Sequence, residues 1–343
     1  MTPLEAFAGQ VAYCLKNDAP ITAAIVAALA DAVDISTSTG ARVLGWTGNP
    51  MFDALPLRLT GGVHHLWRTG QVPELARLFE GLGTRQENAA AIRDVLAKHD
   101  SVLLAWLAGP PQTNEPGRSA QLMTGLLEIV ALHGPKLEIL EIGSSAGLNL
   151  LIDHYRIELP GISTGPAGSP VRLVPEWRGP PPPTELPEII SIRGVDIAPI
   201  DATTPAGADR LLAYCWVDHT QRIERLAHAL ALLRAYPPRL EQGDAPEWLE
   251  ARLAEPQAEG VTRILMHSIV WQYVDAVGQA RITAAMEAAG ARATHDRPLG
   301  WVCVEADRTV HRHDISVQSW PGHGTSARIG HAHAHGFWVE RVD

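Results

Sequence analysis

The stretch LEILEIGSSAGLNLLIDHY, residues 137–155, constrains this 343-residue chain more than any other. An apolar run suited to a buried strand enters Gly143-Ser144-Ser145-Ala146-Gly147, and an apolar helical pattern follows. A strand, a glycine-bracketed turn and a helix together open a βαβ unit, which predicts parallel strands joined by crossover helices. Upstream the pattern differs. LEAFAGQVAYCL, ITAAIVAALADAV, VPELARLFEGL and ENAAAIRDVLAKHDSVLLAWLAG space their apolar residues by three and four, as helices do. Asp18 or Pro20, and Pro73, suit helix starts. Between them TGARVLGWTGNPMFDALP reads as a surface loop, and no strand is expected before residue 137.

Downstream, short apolar runs alternate with helices. The expected strands are LEILEI, EIISIRGVDI, PRLEQG, TRILMHSI and LGWVCVEA, with two more at HDISVQSW and HGFWVERV. The expected helices are AGLNLLIDHY, HTQRIERLAHALALLRAY, APEWLEARLAE and QARITAAMEAAGA. Residues 160–187, rich in Pro and Gly, read as an insertion without regular structure, with Pro180 to Pro183 forming a stiff polyproline stretch. A helical cap domain over residues 1–125 and an α/β domain over 126–343 follow from this division, and the length suits two structural parts.

The formal net charge of −10, with no Lys/Arg-rich run, argues against a nucleic-acid partner and for a small-molecule ligand. Cys14, Cys215 and Cys303 are far apart and form no C-x-x-C pair, which fits a reducing cytoplasm rather than a disulfide scaffold. The N-terminus lacks a basic segment followed by an apolar one, and ITAAIVAALADAV is too short to span a bilayer. A soluble cytoplasmic protein without a membrane partner is expected. The oligomeric state is left open.

The glycine-bracketed turn fits two chemistries. As G-x-S-x-G it would present Ser145 as a hydrolase nucleophile, with Asp244 or Asp275 as acid and His267, His323 or His335 as base. Such an elbow ordinarily follows several strands, whereas helices alone precede this one. Its nearest oxyanion loop, Gly61-Gly62-Val63-His64, lies in helical, turn-rich sequence. The second chemistry is a backbone cradle for S-adenosylmethionine, with Glu141 in front of the glycines. In a doubly wound sheet the ligand lies beyond the carboxyl ends of the strands, where glycines admit close approach and free N–H groups point outward. An acidic residue ending the second strand would bind ribose hydroxyls, and Asp196 stands there. Gly243-Asp244-Ala245 follows the third strand, where an aspartate can accept from an adenine amino group. His267-Ser268-Ile269-Val270-Trp271 follows the fourth, where the reacting group would sit. These signals in order favour the cradle.

From about Lys136 to the C-terminus this order resembles the class I S-adenosylmethionine-dependent methyltransferases. The resemblance implies a Rossmann-like, mostly parallel seven-stranded sheet whose last strand is antiparallel. It implies that Glu141, Gly143 and Gly147 hold the methionine part, Asp196 the ribose, and Asp244 with Ala245 the adenine. Ser145 replaces the middle glycine of the usual loop, so its side chain would crowd the cofactor or hydrogen-bond it. Gln112-Thr113-Asn114-Glu115-Pro116-Gly117-Arg118, the EIGSSAGLNL loop, Asp153-His154-Tyr155-Arg156, Arg193-Gly194-Val195-Asp196, Gly243-Asp244-Ala245 and His267-Ser268 are similar to a narrower bacterial family. That family is classed as a domain of unknown function with a methyltransferase-like core.

Asn114, Glu115 and Arg118 are expected to line the substrate pocket from the cap, the bland reading being a Glu115–Arg118 pair in a turn. Asn149 lies near the cofactor, whereas Asp153, one turn on, would pair with Arg or Tyr inside the fold, and Tyr155 would be core. His267 with Ser268 would deprotonate the methyl acceptor, beside Trp271, against the bland reading of a structural histidine. His331, His333 and His335 alternate, with His311, His313 and His323 nearby, but this spacing rarely closes around one ion and no metal is expected. In the family resemblance His335 faces the pocket alone. The expected function is a S-adenosylmethionine-dependent methyltransferase acting on a small molecule or a protein side chain. The alternative is a non-catalytic ligand-binding or scaffold protein on a degenerate methyltransferase fold, and a serine hydrolase using Ser145 comes third.

Overall fold

The computed structural model describes residues 1–307, 312–322 and 324–342. The chain begins with α1 (Pro3–Lys16), α2 (Pro20–Ala32), α3 (Ser38–Leu44), α4 (Leu55–Arg68), α5 (Ala76–Phe79), α6 (Arg85–Lys98), α7 (Asp100–Trp106) and α8 (Arg118–His133). Strands β1 (Lys136–Ile142), β2 (Arg156–Leu159), β3 (Ile162–Thr164), β4 (Arg172–Leu173), β5 (Glu176–Arg178) and β6 (Glu188–Asp196) come next. Then follow α9 (Pro205–Ala213), α10 (Thr220–Ala235), β7 (Leu240–Gln242), α11 (Ala245–Ala254), β8 (Thr262–Ser268) and α12 (Ala276–Gly290). The chain closes with β9 (Leu299–Asp307), β10 (Arg312–Trp320), β11 (Ala327–Ala332) and β12 (Trp338–Arg341). Two compact units result: one of Met1–Thr113 with Thr204–Glu224, the other of Asn114–Thr203 with Arg225–Asp343. Among the described residues no helix is long and apolar enough to cross a membrane.

The first unit is helical. Thr2 and Glu5 form a capping box on α1, and Thr84 with Glu87 does the same on α6, each satisfying N–H groups that a helix start leaves open. Two further carboxylates cap helix starts from a distance. Asp218 accepts from Ile21 N and Thr22 N at the start of α2, and Asp100 from Ser38 N and Thr39 N at the start of α3. Asp100 also explains why the expected long helix over ENAAAIRDVLAKHDSVLLAWLAG is two: the chain leaves helical geometry at His99, and the Asp100 carboxylate turns to α3. The expected surface loop at 39–56 contains α3. Helix α4 was not expected either, because Gly61-Gly62 disfavours helix. A Cβ on Gly61 would lie 2.6 Å from the Tyr214 ring and one on Gly62 3.0 Å from Trp106, so the pair exists to let these aromatics onto the helix.

The second unit is built on a nine-stranded sheet in the order β5-β12-β11-β10-β9-β8-β1-β6-β7. The β7-β6-β1-β8-β9 half is parallel throughout. β8 is buried at every position and β1 at nearly all, which is why both read as continuous apolar runs. From β9 the sheet continues as an antiparallel meander through β10, β11 and β12, and β5 joins β12 in parallel. The expected seven strands with one antiparallel at the end are therefore nine, with three antiparallel pairings. β11 was overlooked because ARIGHA is short of large apolar residues. The 160–187 insertion is not free of regular structure: β3 and β4 join β2 in a second small sheet and β5 edges the main one. After the glycine turn, Leu148–His154 is a 3-10 segment kinked at Leu151, not the expected α-helix.

At the starting ends of the parallel strands Arg263 is almost wholly buried. It pairs with Glu138 at 2.9 Å and donates to the Arg252, Glu255 and Pro256 carbonyls, while Arg193 bridges Glu138 and Glu255. This network fastens β1, β6 and β8 together at that edge and leaves their carboxyl ends for other use.

Candidate functional site

At the carboxyl ends of β1 and β6, Glu141, the 143–147 turn and Asp196 come together. Ser145 has a left-handed backbone (φ +56°), which turns its N–H to Asp196 Oδ2 at 2.8 Å; Asp196 Oδ1 accepts from Ala198 N at 2.9 Å. Gly143 (φ +66°) and Gly147 (φ +80°) meet neighbours that no side chain would allow. A Cβ on Gly143 would lie 2.0 Å from Val270 Cγ2, and one on Gly147 2.8 Å from Pro238. Local packing thus accounts for both glycines.

Glu141 is 1% exposed. Burial pushes its carboxyl up to about 7, with Ser144 and Asn149 pulling the other way and the Asp196 charge adding to the rise. Two buried polar atoms here, Glu141 Oε2 and Ser145 Oγ, have no hydrogen-bond partner among the described residues. Such atoms are costly and rare, and both can accept. They fit a ligand that brings N–H or O–H groups to the turn, with the half-buried Asp196 carboxylate beside them.

Asn149 is buried, and its Oδ1 accepts from Ser119 Oγ at 3.0 Å. Asn114 Oδ1 accepts from Leu148 N at 2.7 Å, so it caps the 3-10 segment where a ligand would otherwise find a free N–H. Tyr155 is wholly buried and donates to Leu148 O. Asp153 is partly exposed, 3.8 Å from His154 rather than paired with Arg or Tyr inside the fold. Gly243 N donates to Asp196 O, bringing the β7 end beside β6. Asp244 is the half-exposed N-cap of α11, accepting from Glu247 N, and Ala245 is that helix's first residue.

Glu115 and Arg118 each engage other groups. Glu115 Oε1 accepts from Arg225 Nη2 at 2.8 Å and from Gly117 N at 3.0 Å, and Arg225 also donates to His335 O at 2.9 Å. Arg118 Nε donates to Ala334 O at 3.2 Å. Both side chains join the 114–118 segment to the turn after β11. There the strand ends at Ala332, so the three imidazoles of HAHAH do not share one strand face. His331 pairs with Asp314, and His333 Nδ1 accepts from His335 N. His313 is driven down to about 3 by burial, reinforced by Arg118 and His333. His311 and His323 lie outside the described residues. Among the described residues no group of three His, Cys, Asp or Glu side chains is placed to hold a metal ion.

His267, the expected base, is engaged at both ring nitrogens. Trp301 Nε1–H donates to His267 Nε2 at 2.9 Å, so that nitrogen carries the lone pair. Nδ1 then bears the proton and donates a hydrogen bond to Glu305 Oε1 at 2.7 Å. Both nitrogens are engaged, and Trp271 stacks on the ring at 5.4 Å. Glu305 Oε1 also accepts from Val270 N and Trp271 N, which fixes the loop after β8 and holds Val270 against Gly143. Ser268 is buried at the end of β8. Glu305 and Arg225 were not foreseen, although an acidic residue closing the apolar run LGWVCVEA is a signal that could have found Glu305.

The same geometry lends the elbow reading no support: among the described residues Ser145 Oγ has no hydrogen-bond partner, and Asp244 and Asp275 are helix N-caps. The supposed oxyanion loop is part of α4, where His64 faces Ala213 O at 3.0 Å and burial drives it down to about 4.

The second unit is thus a mixed α/β fold on a large, mostly parallel sheet, with an acidic, glycine-containing turn at the end of its central strand. The chain belongs to the bacterial family described as uncharacterized proteins conserved in bacteria (DUF2332), which it matches over residues 4–341. Comparison with curated proteins and with solved structures finds no match.

Proposed function

We propose that the second unit binds S-adenosylmethionine at the carboxyl ends of β1 and β6, and that the protein is a methyltransferase for a small molecule or a protein side chain. One observation carries this reading: Glu141 Oε2 and Ser145 Oγ are buried acceptors without partners, in the turn between the central strand and Asp196. The strand order supports it, since β1 has neighbours on both sides reached by crossovers in opposite directions, the point at which open α/β sheets bind ligands. Glu141, Ser145 and the turn backbone would hold the methionine part, Asp196 the ribose, and the Asp244-Ala245 corner the adenine. Bound there, S-adenosylmethionine would supply an electrophilic methyl group for in-line displacement. His267 does not act as base in this reading, so the chain contributes alignment and exclusion of water.

Calorimetry tests it. Wild type is expected to bind S-adenosylmethionine in the micromolar range, and Asp196→Ala to weaken binding by roughly 10- to 100-fold, the loss of a charged hydrogen-bond partner. Absence of wild-type binding refutes the reading. The alternative, a non-catalytic ligand-binding protein, is favoured by the engagement of both His267 nitrogens and by the use of Asn114 as a cap. It fails if the purified protein transfers a methyl group to a lysate component.

A further inference from the structure

We propose that ligand binding in the β1 turn is coupled to ionisation of Glu141: the ligand-free site holds Glu141 as a neutral acid, and occupancy expels its proton. The inference rests on the proposed ligand of this turn. Its geometric basis is the placement of one carboxyl. Glu141 is sealed from solvent, its Oε2 has no donor, and the Asp196 carboxylate ends the adjacent strand. Ser144 and Asn149 donate to the carboxyl, but a buried carboxylate with one oxygen left unpaired and no cation beside it is unfavourable, so the empty site favours the O–H form.

Among the described residues, the charge that acts on it is of like sign. From β6 comes Asp196, of like sign. From the 3-10 segment come Asp153 and Tyr155, whose phenol is itself raised by burial and by the charges of Glu141, Glu115 and Asp153. On β8, Met266 is the strand partner of Glu141, and His267 beyond it is committed to Glu305. From the 114–118 segment Glu115 is paired with Arg225, and Arg118 at the start of α8 donates to Ala334 O.

A cationic ligand with N–H donors reverses the balance. Its donor hydrogen-bonds Oε2, its charge stabilises the carboxylate, the Glu141 O–H bond breaks and the proton passes to solvent. With the carboxyl pushed up to about 7, roughly half a proton is released per ligand bound at pH 7 and more at pH 6. Affinity then rises roughly tenfold from pH 6 to pH 8, following the ionised fraction.

The test is calorimetry of the full chain with S-adenosylmethionine at pH 6 and pH 7, in two buffers of different ionisation enthalpy. Heats that differ between buffers by about half a proton at pH 7 and more at pH 6 support the coupling, as does their disappearance in Glu141→Gln. Equal heats in both buffers overturn the coupling while leaving the ligand intact; no binding in any buffer overturns the ligand and the coupling together. Carbon NMR of the ligand-free protein with labelled glutamate carboxyls needs no ligand. A resonance titrating near pH 7 is expected, and titration of every glutamate between pH 4 and 5 refutes the proposal.

Discussion

The Glu115–Arg225 pair makes a sharp quantitative claim. Its side chains are 4% and 15% exposed, and the guanidinium bonds one carboxylate oxygen through both Nε and Nη2. Arg225→Ala breaks a buried ion pair by removing its cation, which costs about 3–5 kcal/mol. Glu115→Ala leaves a guanidinium that keeps His335 O and the Phe337 ring, so its cost is about 1.5–3 kcal/mol, the worth of hydrogen bonds to a charged group. The double variant removes both charges and is expected to fall short of the sum by about 1–3 kcal/mol. Two compact units need not unfold in one transition, so the readout is hydrogen exchange of peptides spanning 112–118 and 333–338. Protection should fall at both segments together in either single variant. Additivity within about 0.5 kcal/mol, or loss at one segment only, would refute the pair as the clasp between them.

Two further outcomes follow from the turn. Gly143→Ala combines a left-handed backbone with a Cβ 2.0 Å from Val270, and should cost roughly 2–5 kcal/mol; adding Val270→Ala should recover the packing share but not the backbone share, as urea unfolding will show. A fluorophosphonate probe should leave the protein unlabelled, because Ser145 Oγ has no hydrogen-bonded base among the described residues. Labelling that vanishes in Ser145→Ala would reinstate the nucleophile.

The parallel half of the sheet was legible because burial on both faces writes strands as apolar runs, as at LEILEI and TRILMHSI. Where structure depends on distant partners, the reading failed. Helix α4 hides behind Gly61-Gly62, whose reason is Tyr214, and the break before α7 is set by a cap on α3. The site divides the same way. Glu141, Ser145 and Asp196 are placed together by strand order, which a sequence carries. The engagement of His267 depends on Trp301 and Glu305, and that of Glu115 on Arg225, 110 positions away; no local pattern records either pairing.

The helical unit is discontinuous, and this has a consequence for synthesis. Its last piece, Thr204–Glu224, is translated after β1 through β6 have already emerged. Until then the start of α2 lacks Asp218, the carboxylate that receives its N–H groups, and Gly61 of α4 lacks Tyr214. On the ribosome the segment that begins the chain must therefore wait for residues some 200 positions downstream. A fragment ending at Thr113 would be an incomplete unit, whereas a graft joining 1–113 to 204–224 through a short linker would carry all its pieces.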